Sequence, residues 1–275
     1  MEQERNGIDL TGSDILPRVK EYLRSGVEAL KISHRQGASG FDIVKGYTAL
    51  IDFFIKALFE RMESLCREGF KGDFRTAVVA MGGYGRGELN IRSDIDLMLL
   101  HPSRGVLQYA PTPYIEKLTQ RILYILWDTG LDVGFSIRSV NECISLAKSD
   151  LKTKTAMLDL RFITGDRGIF DELNDKVKKE VFKKKDIDRF INDKLDENNS
   201  RHVKYGGSVY ILEPNVKEGE GGLRDIHTAM WIAKVSRGID NIETLAEQGF
   251  LLKDSTGKIN GSIDFLWRVR NDLHF

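Results

Sequence analysis

Residues 82–96 read GGYGRGELNIRSDID, and this stretch decides which fold we expect for the chain. The apolar and β-branched residues 76–81 (TAVVAM) before it predict a buried strand, and the apolar run at 97–100 predicts a second one. Asp94 and Asp96 are two positions apart, so a strand would place both carboxylates on one face. The expected order is a strand, a glycine turn, a short connector and a second strand that carries two acids.

The two aspartates and the glycines together predict a site for metal and phosphate. Neighbouring carboxylates repel each other unless a cation lies between them, and a hard cation such as Mg²⁺ prefers oxygen ligands. Gly82 and Gly83 carry no side chains, so their backbone N–H groups can approach phosphate oxygens. The chain has no GxxxxGK[ST] segment, which argues against a P-loop. The pattern therefore indicates phosphoryl or nucleotidyl transfer, with Asp94 and Asp96 as metal ligands and catalytic residues.

The same residues resemble a known family. Gly82 and Gly83, followed by Arg86 and then by Ser93 before the two aspartates, resemble the nucleotidyltransferase superfamily that includes DNA polymerase β. More closely, the pattern is similar to the N-terminal part of bifunctional uridylyltransferase/uridylyl-removing enzymes, which modify the PII nitrogen-signalling protein. The segments 213–225 (EPNVKEGEGGLRD) and 265–275 (FLWRVRNDLHF) are similar to segments of that family.

The resemblance implies a reaction as well as a fold. It implies UTP as donor, a tyrosine hydroxyl of a PII-type protein as acceptor, pyrophosphate as product and a two-metal Mg²⁺ site. The expected nucleotide-binding residues are Gly82, Gly83, Arg86, Ser93, Lys217 and Arg224. The alternatives are a related nucleotidyltransferase with a different nucleotide or acceptor, and a catalytically degenerate regulatory module.

Several of these residues also have a purely structural interpretation. Arg86 either pairs with phosphate or forms a salt bridge to Glu88 or another acid. Lys217 and Arg224 either reach a triphosphate or acidic acceptor across an interdomain cleft, or belong to a bracing loop in which Arg224 pairs with Glu213.

A third carboxylate is the open part of the site. The superfamily normally adds an acid on a neighbouring strand, but the best-matching position here is Gly134. Asp132, at the start of the predicted third strand, and Asp159, on a predicted helix, are candidates, and it is also open that neither serves.

The expected fold is α+β, with a polymerase-β-like nucleotidyltransferase domain that combines a small mixed sheet with flanking helices, followed by a mostly helical domain. The domains are expected at 1–150 and 151–275, the second truncated at its C-terminal end, because the chain stops within an amphipathic pattern. The pattern predicts a long helix over 41–67 and a helix over 151–163. The tryptophans are expected in the core; they are Trp127, Trp231 and Trp267.

Composition narrows the functional classes. The 275 residues include 41 basic and 41 acidic ones, and this balance disfavours nucleic acid as the main substrate. Cys66 and Cys143 show no zinc spacing and fit a reducing compartment. We expect a cytoplasmic protein without membrane association, since the sequence has no signal peptide and no apolar run long enough to span a membrane. No His-Asp pair occurs, so we expect no uridylyl-removing activity from this chain. The resemblance implies that glutamine is sensed by regulatory domains beyond residue 275, so we also expect no response to glutamine.

Overall fold

The computed structural model describes Leu10 and residues 15–68, 70–71, 73–103, 112–205, 215–252 and 254–275. Within these ranges a small mixed sheet is combined with mostly helical structure, which confirms the α+β class. The strands are β1 (Ala77–Ala80), β2 (Ile95–His101), β3 (Val133–Ser139) and β4 (Arg161–Gly165). The helices are α1 (Ile15–Arg35), α2 (Gly40–Arg67), α3 (Gly82–Gly85), α4 (Pro113–Asp128), α5 (Val140–Ser149), α6 (Leu151–Ala156), α7 (Arg167–Lys176), α8 (Ile187–Tyr205), α9 (Leu223–Arg237), α10 (Ile242–Glu247) and α11 (Ser255–His274).

The sheet has the strand order β3-β2-β1-β4. β1 pairs antiparallel with both β2 and β4, whereas β2 and β3 run parallel. All four residues of β1 are buried, as its β-branched apolar sequence predicts for a central strand. The glycine turn and the two aspartates are thus held at the end of the two central strands.

The helix predicted over residues 151–163 is wrong in its second half. α6 ends at Ala156, a 3₁₀ turn covers Met157–Asp159, and β4 begins at Arg161. β4 forms because it pairs with β1, a partner about eighty residues earlier in the sequence, and such tertiary pairing overrides local propensity.

The apolar stripe of α2 lies in the core, as predicted from its spacing. Its buried members are Tyr47, Ile51, Phe54, Ile55, Leu58, Phe59 and Met62. These positions recur every three or four residues and so form one face of a helix.

The chain divides into two compact units. Unit 1 comprises Met1–Ala38, Asp42–Ser145 and Asp159–Asn174, and unit 2 comprises Ser39–Phe41, Leu146–Leu158 and Asp175–Phe275. β4 follows residue 150 but belongs to the sheet of unit 1. The domain boundary after residue 150 stays a prediction. In unit 2, Leu158, Phe190 and Trp231 form a buried apolar cluster.

One tryptophan is not where the sequence analysis expected it. Trp231 and Trp267 are each 5% exposed, but Trp127 is 67% exposed. The buried face of α4 includes Ile122, Leu126 and their helical neighbours, and Trp127 falls beyond the edge of this face. Tyr124, one turn before it, is also exposed. In the part of the chain that the structure describes, no helix has the length and apolar character needed to cross a membrane.

Candidate active site

The glycine turn lies directly against one of the two aspartates. After β1 the chain makes the single helical turn α3, and Gly82 at its start adopts a φ of +55°. A Cβ atom at Gly82 would be 3.0 Å from Oδ2 of Asp96. The Met81 N–H also donates to the Asp96 carbonyl oxygen at 3.0 Å. The turn and the Asp96 carboxylate are therefore adjacent, although fourteen positions separate Gly82 from Asp96.

The two aspartates stand at the start of β2. Asp96 is the second residue of the strand and is half-buried, whereas Asp94 is exposed and immediately precedes the strand. Ile95 between them is fully buried on the other face. Asp96 therefore lies on the opposite face of β2 from Ile95, and the shared side of Asp94 and Asp96 stays a prediction, because Asp94 precedes the strand.

A short bend leads into these aspartates. Arg92 adopts a φ of 57°, which is uncommon for a residue with a side chain, and the Ser93 N–H donates to the Asn90 carbonyl oxygen at 3.0 Å. Asn90 itself is buried. Ser93 is therefore fixed by its backbone beside Asp94, which is the position from which it was predicted to touch a phosphate.

The position expected for a third acid is occupied by glycine. β3 runs parallel to β2 in a register that pairs Asp96 with Gly134, and a Cβ atom at Gly134 would be 2.7 Å from Oδ1 of Asp96. Asp132 is exposed and lies at the edge of this pairing, where its carbonyl oxygen accepts the Ile95 N–H at 2.8 Å. Among the described residues, no group of three or more His, Cys, Asp or Glu side chains is arranged to hold a metal ion.

Asp159, the other candidate acid, is engaged elsewhere. Its side chain is 5% exposed, and Oδ2 accepts from Nη1 of Arg86 at 2.6 Å. Arg86 also donates from Nε to Glu88 at 2.8 Å. Burial lowers the pKa of Arg86, but the charges of Asp159 and Glu88 outweigh it and the net pKa is raised. The salt-bridge interpretation of Arg86 is the arrangement seen here, and its contact with a nucleotide stays a prediction.

A second arginine, which no sequence motif marks, supports the glycine turn. Arg161, at the start of β4, forms a two-pronged salt bridge with Asp52 of α2 and donates to the Tyr84 carbonyl oxygen at 2.9 Å. Tyr84 is fully buried, and its phenol pKa is raised first by burial and then by the charge of Asp52. No sequence signal marks this contact, because 109 positions separate Asp52 from Arg161.

Lys217 and Arg224 belong to unit 2. Arg224 donates to Glu218 at 3.1 Å, and the Lys217 ammonium lies 3.9 Å from the same carboxylate. Burial raises the pKa of Glu218, but Arg224 and the other nearby cations bring it below its usual range. Glu213, the predicted partner of Arg224, lies outside the described residues. The placement of this loop across a cleft from the aspartates stays a prediction.

The glycine-rich segment 215–222 acts as a cap for α9. The N–H groups of Gly222, Leu223 and Arg224 donate to backbone carbonyl oxygens of the preceding loop, at 2.9 to 3.1 Å. Asp225 accepts from the Gly221 N–H at 2.7 Å and from the His202 ring at 2.7 Å, and it also pairs with Arg201. Burial raises the pKa of Asp225, but the hydrogen bonds from Arg201, His202 and Gly221 together lower it below its usual range.

Two sequence families match different parts of the chain. The family described as GlnD PII-uridylyltransferase matches residues 189–275. The family described as glutamate-ammonia ligase adenylyltransferase matches residues 42–133, which contain α2, the glycine turn and both aspartates.

Curated relatives support the first of these families. A bifunctional uridylyltransferase/uridylyl-removing enzyme from Rhodospirillum rubrum is 44% identical over 198 residues, which are 72% of this chain and 20% of the relative. The enzyme of the same name from Novosphingobium aromaticivorans is 36% identical, over 94% of this chain and 28% of the relative. The one from Bradyrhizobium diazoefficiens is 44% identical, over 74% of this chain and 21% of the relative. The chain thus spans only 20% to 28% of the length of these relatives. The resemblance found in residues 82–96 is confirmed, and the chain belongs to the family of bifunctional uridylyltransferase/uridylyl-removing enzymes.

Proposed function

We propose that this chain catalyses nucleotidyl transfer from UTP to a tyrosine hydroxyl of a PII-type protein, with release of pyrophosphate. The observation that carries the proposal is the closeness of Gly82 to the Asp96 carboxylate, whose Oδ2 would lie 3.0 Å from a Cβ atom at Gly82, together with the exposed Asp94 two positions earlier. A phosphate-accessible turn and a pair of acids are what metal-assisted transfer to a hydroxyl requires. The names of the relatives support uridylyl transfer as the reaction class.

The donor set fits Mg²⁺. Asp94 and Asp96 offer hard carboxylate oxygens at the start of β2, and the exposure of Asp94 leaves room for water ligands and phosphate oxygens. When bound there, Mg²⁺ would supply positive charge to the phosphate oxygens. The absence of a carboxylate at Gly134 leaves two acids in the described part of the site, so a two-metal arrangement would rely on Asp94, Asp96 and ligands from substrate and water.

Other residues of the chain would bind the phosphates of the donor. Gly82 and Gly83 would admit the β- and γ-phosphates, since the first N–H groups of a helical turn have no acceptor inside the turn. Ser93 would contact a phosphate oxygen beside Asp94. The acceptor oxygen would bond to the α-phosphorus as the bond to pyrophosphate breaks, and the hydroxyl proton would leave to solvent.

A second candidate is the transfer of a different nucleotide. The adenylyltransferase family matches the segment that holds the glycine turn and both aspartates, so an adenylyl donor is the specific alternative. Its support is confined to residues 42–133.

Both candidates are tested by donor competition. The chain is incubated with Mg²⁺, a PII protein and each of the four ribonucleoside triphosphates labelled at the α-phosphate, and label on the acceptor is measured with and without excess unlabelled competitor. We expect label from UTP, prevented by replacing the acceptor tyrosine with phenylalanine. Label from ATP alone would support the second candidate. No transfer and no triphosphate binding would favour a degenerate regulatory module.

A further inference from the structure

The glycine turn is attached to the rest of unit 1 through the guanidinium of Arg161. Nη1 and Nη2 of Arg161 lie 2.7 Å and 3.0 Å from the two carboxylate oxygens of Asp52. Nη2 also donates to the Tyr84 carbonyl oxygen at 2.9 Å, and the guanidinium carbon lies 5.1 Å from the centre of the Tyr84 ring. A planar guanidinium held by both oxygens of a carboxylate has a fixed orientation, so it fixes the carbonyl group that it binds.

The position of Arg161 in the sheet explains how it reaches the turn. Arg161 pairs with Ala80, the last residue of β1, and Tyr84 follows four positions later in α3. The side chain therefore bridges from the end of the sheet to the turn that follows it.

α2 holds the same segment at a second point. Thr48 Oγ1 accepts the Leu89 N–H at 3.1 Å and donates to the Val44 carbonyl oxygen at 2.8 Å. Thr48 and Asp52 are four positions apart on α2 and share one face of the helix. This face therefore fixes the glycine segment at Leu89 directly and at Tyr84 through Arg161.

The exposure of the ion pair argues that its main effect is on geometry. The side chains of Arg161 and Asp52 are 31% and 32% exposed. Ion pairs with this degree of exposure add little to the free energy of folding, because water screens them. The hydrogen bond to the Tyr84 carbonyl oxygen, in contrast, acts on a fully buried residue next to Gly83.

We infer that Arg161 and Asp52 are positioning residues that hold the glycine turn in the conformation that receives the triphosphate. The expected effect on the KM for UTP rests on the proposed function. The expected effect on the order of the turn does not, because that order can be measured without any reaction.

The kinetic test uses the full chain and the variants Arg161→Gln, Arg161→Lys and Asp52→Asn. Arg161→Gln should raise the KM for UTP about tenfold and leave the KM for the acceptor protein within about twofold, since preorganisation of the turn affects the nucleotide. Arg161→Lys keeps the charge but not the planar fork, so it should be intermediate. The matched control is Arg75→Gln, which removes an exposed ion pair to Asp73 just before the other end of β1 and should change neither constant.

The structural readout is amide hydrogen exchange in peptides that cover residues 81–90. Arg161→Gln should accelerate exchange about tenfold there and leave peptides from β2 and β3 unchanged. If Arg161→Gln does not fold, Asp52→Asn decides by the same two criteria, because it removes the carboxylate that orients the guanidinium and keeps Arg161 itself. Unchanged exchange in the turn, or an equal rise of both KM values, would overturn the inference. A wild-type chain that transfers no nucleotide would instead refute the proposed function, while the exchange experiment would still decide the positioning.

Discussion

Residues 82–88 and residues 215–222 both form glycine-rich segments that contain glutamate. The two segments differ in the acceptors to which their backbone N–H groups donate. In the loop before α9, the N–H groups of residues 217–219 and 221–224 donate to loop carbonyls or to the side chains of Asn215 and Asp225. In the turn after β1, the bonded N–H groups belong to residues 85–88, and Gly82 lies beside the Asp96 carboxylate. A glycine-rich segment alone does not identify a phosphate site; the acceptors of its N–H groups make the distinction.

The glycines themselves show the same contrast. A Cβ atom at Gly222 would lie 2.8 Å, 2.9 Å and 3.0 Å from three carbonyl oxygens of its own loop. A Cβ atom at Gly83 would have its nearest neighbours at 3.7 Å and 3.8 Å, which are ordinary contacts. Gly222 is therefore required by packing, whereas folding does not require glycine at position 83.

The largest expected effect concerns the aspartates beside the first segment. Asp94→Asn or Asp96→Asn removes a charged oxygen ligand and should lower the transfer rate by roughly 10²–10³-fold, as the loss of a major electrostatic contact does. The rate of label transfer from UTP to the acceptor is the measurement. Asp73→Asn, an exposed acid paired with Arg75, is the control and should keep the wild-type rate. Near-normal transfer by either active-site variant would contradict the assignment.

The second effect concerns the packed glycine of unit 2. Gly222→Ala should lower the free energy of unfolding by about 1–3 kcal/mol, because the methyl group must displace backbone carbonyls. Urea denaturation measures this change. Gly261→Ala, within α11 and with no atom within 4 Å of the added carbon, should instead stabilise by about 0.5–1 kcal/mol. Equal stability of Gly222→Ala and the wild type would show that the loop adjusts without cost.

The third effect is on triphosphate binding, and it should leave the free energy of unfolding nearly unchanged. Gly83→Ala should weaken triphosphate binding about tenfold, or about 1.4 kcal/mol, and change the free energy of unfolding by less than about 0.5 kcal/mol. Equilibrium dialysis with labelled UTP gives the first value and urea denaturation the second. Gly85→Ala serves as the contrasting variant, since its Cβ atom would be 1.8 Å from the Asp159 carbonyl oxygen and should destabilise the fold. Full triphosphate affinity in Gly83→Ala would show that Gly83 forms the turn and does not contact phosphate.

The smallest effect is a pH dependence of unit 2. The folded state lowers the pKa of Asp225, so the carboxylate stabilises the protein above its unfolded pKa near 4, and this stabilisation is lost as the pH falls through the lower folded pKa. The side chain is a quarter exposed, so the loss should be about 1 kcal/mol or less. Urea denaturation between pH 6 and pH 3 should show a shallower decline for Asp225→Asn than for the wild type. Parallel declines would mean that other acids dominate.

The sequence predicted those features of the fold that depend on neighbouring residues. The stripe of α2 and the strands on either side of the glycine turn follow from periodicity. Residues 161–163 were wrongly assigned to a helix, because their strand is created by pairing with β1, far away in the sequence. Trp127 was wrong because its size suggested burial, whereas its position on α4 decided its exposure.

The candidate site was predictable in the same partial way. The two aspartates and the glycines form one short motif that can be read directly. The partners of Arg86 were partly predictable, since Glu88 is two positions away but Asp159 is 73 positions away. The contacts of Arg161 had no local signature, and neither periodicity nor motif spacing could have revealed them.

The pairing of β4 with β1 has a consequence for anyone who shortens this protein. A fragment cut at residue 150 would retain the glycine turn and both aspartates but would lose β4. The four buried, apolar residues of β1 would then form an open edge, with unpaired N–H and C=O groups available to another chain. Such a fragment would be expected to aggregate. A soluble minimal version should keep residues 159–174, joined through a linker that replaces residues 146–158, which belong to unit 2.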